Sequence, residues 1–342
     1  MACRSSLSQL KLTFPLFWRH PAVRYVYDVA PEIPTLVFSV AYYAVAACGL
    51  LAVLAFERLQ SGGSLKEENS ALSIQGGVEL GGYLFLGNAF QVFGLRTVPS
   101  DRAAFLLQLT TIMVPLVQAL LAGSLATISK RVWIASVTAL VGVAIISLDG
   151  AKSLDTSEIN FSGGDLLIVC AAVLYTFHCI RLEIYAKTTS AVKLALTKAT
   201  TEMSLSLAAA VSLVVCSNVL SNDGSSNSIL SSLASTGNSI SIFVSDFSSM
   251  VQSDNSPGIL PAVAATSWIG LVTVAYTICA QSYGQKYVKA ATANLLYTTQ
   301  PLYTAGFAWI VLGETLGPLG YSGGLIILLA VLLVAFDEEN SS

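Results

Sequence analysis

Long apolar runs separated by short polar stretches dominate the chain. Nine are read, at 36–56, 78–95, 103–122, 132–148, 165–186, 199–219, 259–282, 291–312 and 319–336, each bounded by charge, Gly or Pro. A helix needs roughly 20 apolar residues to cross a hydrocarbon core of about 30 Å, and these runs have 17 to 24. Backbone groups in lipid must be bonded internally, and barrel strands would be about ten residues long with strict alternation. The pattern therefore predicts an all-α integral membrane protein with nine transmembrane helices.

Composition agrees. Of 342 residues, 54% are hydrophobic and only 11% charged, against about 25% charged in a soluble domain. So little polar surface cannot coat a soluble fold of this size, so one polytopic membrane domain is expected. A net charge of -3 gives no sign of a nucleic-acid partner. The six cysteines lack metal or redox spacing, and two histidines are too few for a catalytic metal centre. The chain has no Gly-x-x-x-x-Gly-Lys-Ser/Thr loop and no credible Ser/His/Asp set. The expectation is a non-enzyme with no cofactor and no metal.

Lys and Arg in the loops set orientation. The side reached after the first helix carries nine: Arg58, Lys66, Lys130, Arg131, Lys187, Lys193, Lys198, Lys286 and Lys289. The other side carries Arg96, Arg102 and Lys152. The first side is thus expected to be cytoplasmic, stromal or matrix, with the acidic tail 337–342 on it. The tail 1–35 breaks the pattern, since Arg4, Lys11, Arg19 and Arg24 would lie on the translocated side. Its first 27 residues lack Asp and Glu and are weakly reminiscent of an organellar transit peptide, so a plastid or other organelle is one host membrane to consider. An unstructured tail or a truncated gene fits better. Residues 217–258 hold fifteen serines and no Lys or Arg, and read as a solvated, dispensable loop. Within it, Ile240, Phe243, Phe247 and Met250 fall near the spacing of a short amphipathic surface helix.

Two segments read alike. Gly94-Leu95-Arg96-Thr97-Val98 runs through Ala103-Ala104-Phe105-Leu106 to Pro115, and Gln285-Lys286-Tyr287-Val288 runs through Ala290–Ala293 to Pro301. Pairing Ala104 with Ala293 gives an offset of 189. Multi-helix repeats mark secondary transporters. With Trp268-Ile269-Gly270-Leu271, Gln281 and Gly313-Glu314, the region 36–336 resembles the drug/metabolite transporter superfamily, specifically proteins with two EamA-type domains. The resemblance implies two inverted five-helix repeats with both termini cytoplasmic. Only four helices are read before residue 165, so the family's first helix is expected to be absent. Adding it would return the basic tail to the basic side. The expected division is an incomplete first repeat at 36–150 and a second at 163–336. Departures from the family pattern are Gln300, where Glu is common, Tyr42-Tyr43 in place of an arginine, and Gly123-Ser124 in place of Gly-Glu.

Polar groups in the hydrocarbon region are costly and usually face a bundle interior. The expected solute-binding residues are Asn88, Gln108, Tyr175, His178, Gln281, Asn294 and Tyr297. Interhelical hydrogen bonding, worth about 0.6 kcal/mol each, is the competing reading for any one of them. Pro115 and Pro301 each free a carbonyl and are expected to bend their helices. Gly163-Gly164-Asp165 reads as a capped helix start, and Glu183–Lys187 as an ion pair at a helix end. Tyrosine and amide groups suit an uncharged or zwitterionic solute, and no cluster of buried Arg or Lys is read to hold phosphates. The expected function is secondary transport of a small organic metabolite by alternating access. The runner-up is a non-transporting truncated paralogue or partner subunit. The expected partners are a small-molecule solute and the lipid bilayer, with a homodimer left open and no nucleic acid.

Overall fold

A computed structural model of the chain describes residues 33–60, 70–150, 162–220, 228–252, 259–303, 306 and 317–340. Every regular element among them is helical. In chain order these are α1 (Thr35–Gln60), α2 (Ser70–Gly94), α3 (Ser100–Leu107), α4 (Thr110–Leu121), α5 (Lys130–Gly150), α6 (Gly163–Thr188) and α7 (Ala191–Leu220). They continue with α8 (Ser228–Gln252), α9 (Ile259–Trp268), a π-helix (Ile269–Tyr276), α10 (Thr277–Gln285), α11 (Ala290–Tyr297) and α12 (Pro318–Asn340). Among the described residues, six stretches are long and apolar enough to cross a membrane: Thr35–Gln60, Arg102–Leu121, Lys130–Leu148, Gly163–Thr188, Ala191–Val219 and Val263–Gln285. Of the nine runs expected, 78–95 falls in α2 up to Gly94, and that helix is longer and more polar, carrying Gln75, Glu79, Asn88 and Gln91. Pro318–Val334 is apolar but shorter. Residues 304–305 and 307–312 of the run 291–312, with Gly313-Glu314, Lys66, Lys152 and the tail 1–32, lie outside the described residues.

Several boundaries differ from the sequence reading, each for a local reason. The helix expected at 199–219 starts at Ala191, directly after Thr189-Ser190, a pair of residue types that favour helix starts. Lys198 is therefore no loop residue. It lies two turns inside α7 and is only 1% exposed, which leaves eight positive charges on that side of the loop count. The serine-rich segment is not an irregular loop: residues 228–252 form the 25-residue α8, packed on α7. Ile240 is buried, and Gly237 lies so close to the Leu213 carbonyl that a Cβ there would sit 2.2 Å from it. Serine hydroxyls that would otherwise compete with the helix bond back into it, Ser239 to the Ser235 carbonyl and Ser245 to that of Ile242.

The run 103–122 is interrupted at Gln108-Leu109, where α3 ends and α4 begins. The bonds there tighten to the i→i+3 type: the amides of Gln108 and Leu109 donate to the carbonyls of Phe105 and Leu106. The same break occurs at Thr298-Thr299, whose amides donate to Leu295 and Leu296. Each break follows an eight-residue helix entered through a tight turn in which Val98 or Val288 donates to Gly94 or Gly284. These matching turns lie 190 residues apart, so Ala103 rather than Ala104 corresponds to Ala293. Pro301 lies just after the second break, and proline removes the bond to the carbonyl four residues back. Pro115, by contrast, sits inside an unbroken α4.

Small residues set the packing. α5 and α12 touch backbone to backbone, since a Cβ on Gly142 would meet the Gly323 carbonyl at 2.8 Å and one on Gly323 the Gly142 carbonyl at 2.5 Å. Buried Ala135, Ala139, Ala330 and Val334 continue this seam. α2 lies in the groove between α6 and α7, where its glycines face Tyr185 and Thr197. α1 packs on α7 and the π-helix. Without a hydrophobic drive between helices in lipid, such close approach is what holds a bundle together.

Candidate functional site

Five helices bring polar side chains to one buried region. α7 supplies Lys198 and, one turn on, Glu202; both are 1% exposed. α6 supplies His178 and Cys179, α1 supplies Tyr43, α10 supplies Gln285 and α11 supplies Asn294, all buried. Lys198 Nζ lies 2.9 Å from His178 Nε2. With Lys198 as the ammonium, which has donors only, Nε2 is the lone-pair nitrogen and the proton of a neutral imidazole lies on Nδ1. The Glu202 carboxylate accepts from the Tyr43 hydroxyl and acts electrostatically on Lys198. An isolated buried charge costs several kcal/mol, so Lys198 persists only with such neighbours.

Cys179 joins this group to the next. Its thiol donates to Asn294 Oδ1 across 3.9 Å, and the Gln285 amide and Lys198 ammonium both act on the same sulfur. Gln285 is fully buried, yet neither its amide oxygen nor its nitrogen has a partner of normal hydrogen-bond geometry among the described residues. Asn294 Nδ2 and the Tyr297 hydroxyl are in the same condition, although Tyr297 faces Gln281. Unsatisfied buried polar atoms are rare, and each lost partner costs about 1–3 kcal/mol. Cys179 links these groups to Lys198, since it bonds to Asn294 and is acted on by both Gln285 and the lysine.

A second polar set lies between α2 and α6. Arg181 makes a two-pronged ion pair with Glu79, Nη2 lying 2.8 Å from Oε2, and its guanidinium stacks 5.0 Å above the Tyr185 ring. The Tyr185 hydroxyl also donates to Glu79. Further along, the Tyr175 hydroxyl sits 2.8 Å from both Asn88 Oδ1 and Gln91 Oε1. One hydroxyl proton serves only one of them, so one amide must turn its NH₂ toward the tyrosine. These groups satisfy one another and tie α2 to α6.

The residues expected from sequence therefore divide. His178 and Asn294 belong to the buried region, and Gln281 and Tyr297 face each other beside it. Asn88 and Tyr175 are bonded to each other at the α2–α6 seam. Gln108, half-buried, caps α3 at its break. Sequence reading did not select Tyr43, Lys198, Glu202 or Gln285 for the site. The helix-start signal at Thr189-Ser190 is what would have moved Lys198 from the loop into the bundle. Glu183 pairs with Lys187 at 2.5 Å as expected, and also accepts from the Ala290 amide at 2.7 Å, holding the start of α11. A groove of about 670 Å³ at the α4–α5 corner, lined by Leu116, Leu125, Ile128 and Trp133 among others, is nearly all apolar and lacks this chemistry.

Comparison with known proteins bears on these observations. Residues 200–336 match the model of the EamA-like transporter family. The permease-like protein YdzE of Bacillus subtilis (strain 168) is 32% identical over 73 residues, which are 21% of this chain and 94% of that protein. The chain belongs to the EamA-like transporter family. It is accordingly an integral, multi-pass membrane protein of a family of transporters rather than enzymes. A protein of known crystal structure superposes with a TM-score of 0.64 at 13% identity, over 97% of both chains. At that identity the match speaks for the fold alone. The family match spans Glu202, Gln281, Gln285, Asn294 and Tyr297, while His178 and Lys198 lie before it.

Proposed function

We propose that this EamA-like protein is a secondary transporter that moves a small organic metabolite by alternating access. In this reading nine crossings form two inverted repeats, four helices at 36–150 and five at 163–336, with the solute held between them at mid-depth. The observation that carries the reading is the set of unsatisfied amides, Gln285 and Asn294, beside a fully buried Lys198. Helix glue has no use for atoms left without partners, whereas a solute would complete them. The breaks at Gln108-Leu109 and Thr298-Thr299 support it, since mid-helix i→i+3 turns often mark hinges. Asn294, Gln281 and Tyr297 are proposed to contact the solute, with His178 orienting Lys198. Asn88 and Tyr175 hold α2 on α6, and Gln108 belongs to the moving turn.

Uptake of a defined mixture of amino acids, carboxylates, sugars and nucleosides into proteoliposomes, read by mass spectrometry, tests this. At least one solute should accumulate over protein-free vesicles, and Asn294→Ala should lower its uptake about tenfold while the protein still folds and reconstitutes. Equal uptake by Asn294→Ala and the wild type would assign Asn294 to packing and remove it from the site.

A further inference from the structure

Resting on the transport reading, we infer that the solute is a small organic monoanion whose single carboxylate docks on Lys198, with the amides of Gln285 and Asn294 beside it. The reasoning starts from which hydrogen-bonding groups remain open. The Lys198 ammonium has three donors. His178 accepts one, and no other hydrogen bond to Lys198 is formed among the described residues. Gln285 Nε2, Asn294 Nδ2 and the Tyr297 hydroxyl are further donors without a partner of normal geometry. The acidic group of the region, Glu202, is already engaged by Tyr43. Gln285 Oε1 is an acceptor likewise without a partner of normal geometry, so what remains open is richer in donors than in acceptors, and donors around a buried cation recognise an anion.

The charge count limits that anion to a small one. A single buried lysine with Glu202 one turn away carries too little positive charge for a phosphate dianion or a diphosphate. Arg181, three residues after His178 on α6, is committed to Glu79. A carboxylate matches one ammonium plus two amides in size, charge and acceptor number. A solute without a carboxylate would leave the remaining Lys198 donors with no anionic acceptor.

Purified full-length protein in detergent is titrated with monocarboxylates of graded size, each beside its own primary amide, and binding is read by calorimetry. At least one acid should bind, with its amide about tenfold weaker or worse, the scale expected for a charge-assisted bond. Lys198→Gln should abolish that difference, and Lys198→Arg should keep it. An amide that binds as tightly as its acid, acid binding unchanged in Lys198→Gln, or no binding by any acid overturns the inference. If Lys198→Gln does not fold, the acid–amide comparison on the wild type decides alone. The same acids are then followed into proteoliposomes. Lys198-dependent binding without uptake removes transport and keeps the carboxylate site. Uptake of uncharged solutes alone keeps transport and removes the carboxylate site.

Discussion

Asp165 Oδ2 accepts from the Ser162 amide at 2.7 Å, the Ser162 hydroxyl at 3.0 Å and Arg102 at 2.8 Å, with the carboxylate fully buried. The Asp165 amide bonds back to the Ser162 hydroxyl, completing a capping box at the start of α6. Arg102 is 35% exposed in its side chain, so it can turn to water if its partner is lost. Replacing Asp165 by Ala should then cost about 1–2 kcal/mol, the range for a lost N-cap interaction. Thermal unfolding of the purified variant should show a lower midpoint, and an unchanged midpoint would mean the box contributes nothing. This cap was legible in Gly163-Gly164-Asp165 because capping is local. Lys198 was not, because its burial depends on α6 and α7 folding back on each other. A lysine next to an apolar run looks like a loop boundary until a neighbouring helix covers it. His178 was legible as an intramembrane polar group, but its partner was not.

Helix contacts show the same division between local and non-local information. The apolar runs at 36–56, 132–148 and 165–186 each lie within a continuous helix because length and hydropathy suffice for them. α8 was hidden because serine is a weak helix former in isolation, whereas here Gly237 and Ile240 dock it on α7. The seam between α5 and α12 was likewise invisible, since glycine spacing on one helix says nothing about which helix it meets. Gly323→Val should destabilise the bundle by about 1–3 kcal/mol, because its Cβ would fall 2.5 Å from the Gly142 carbonyl, and backbone cannot move aside as a side chain can. A reduced unfolding midpoint checks this. A wild-type midpoint would mean the two helices separate without cost.

At the scale of the whole molecule, the buried polar region sits where α1, α6, α7, α10 and α11 meet, and no single one of these helices forms it. The alternating access proposed above requires that solvent reach it from each side in turn. The two breaks at Gln108-Leu109 and Thr298-Thr299, 190 residues apart, are the proposed hinges of that motion. Native Cys179, buried between Asn294 and Lys198, is a reporter already in place. In a variant retaining only this cysteine, an impermeant thiol reagent is applied to right-side-out and to inside-out vesicles. Alternating access predicts modification of Cys179 from both sides, slowed on both by a transported solute. Modification from one side only, or from neither, would contradict the account.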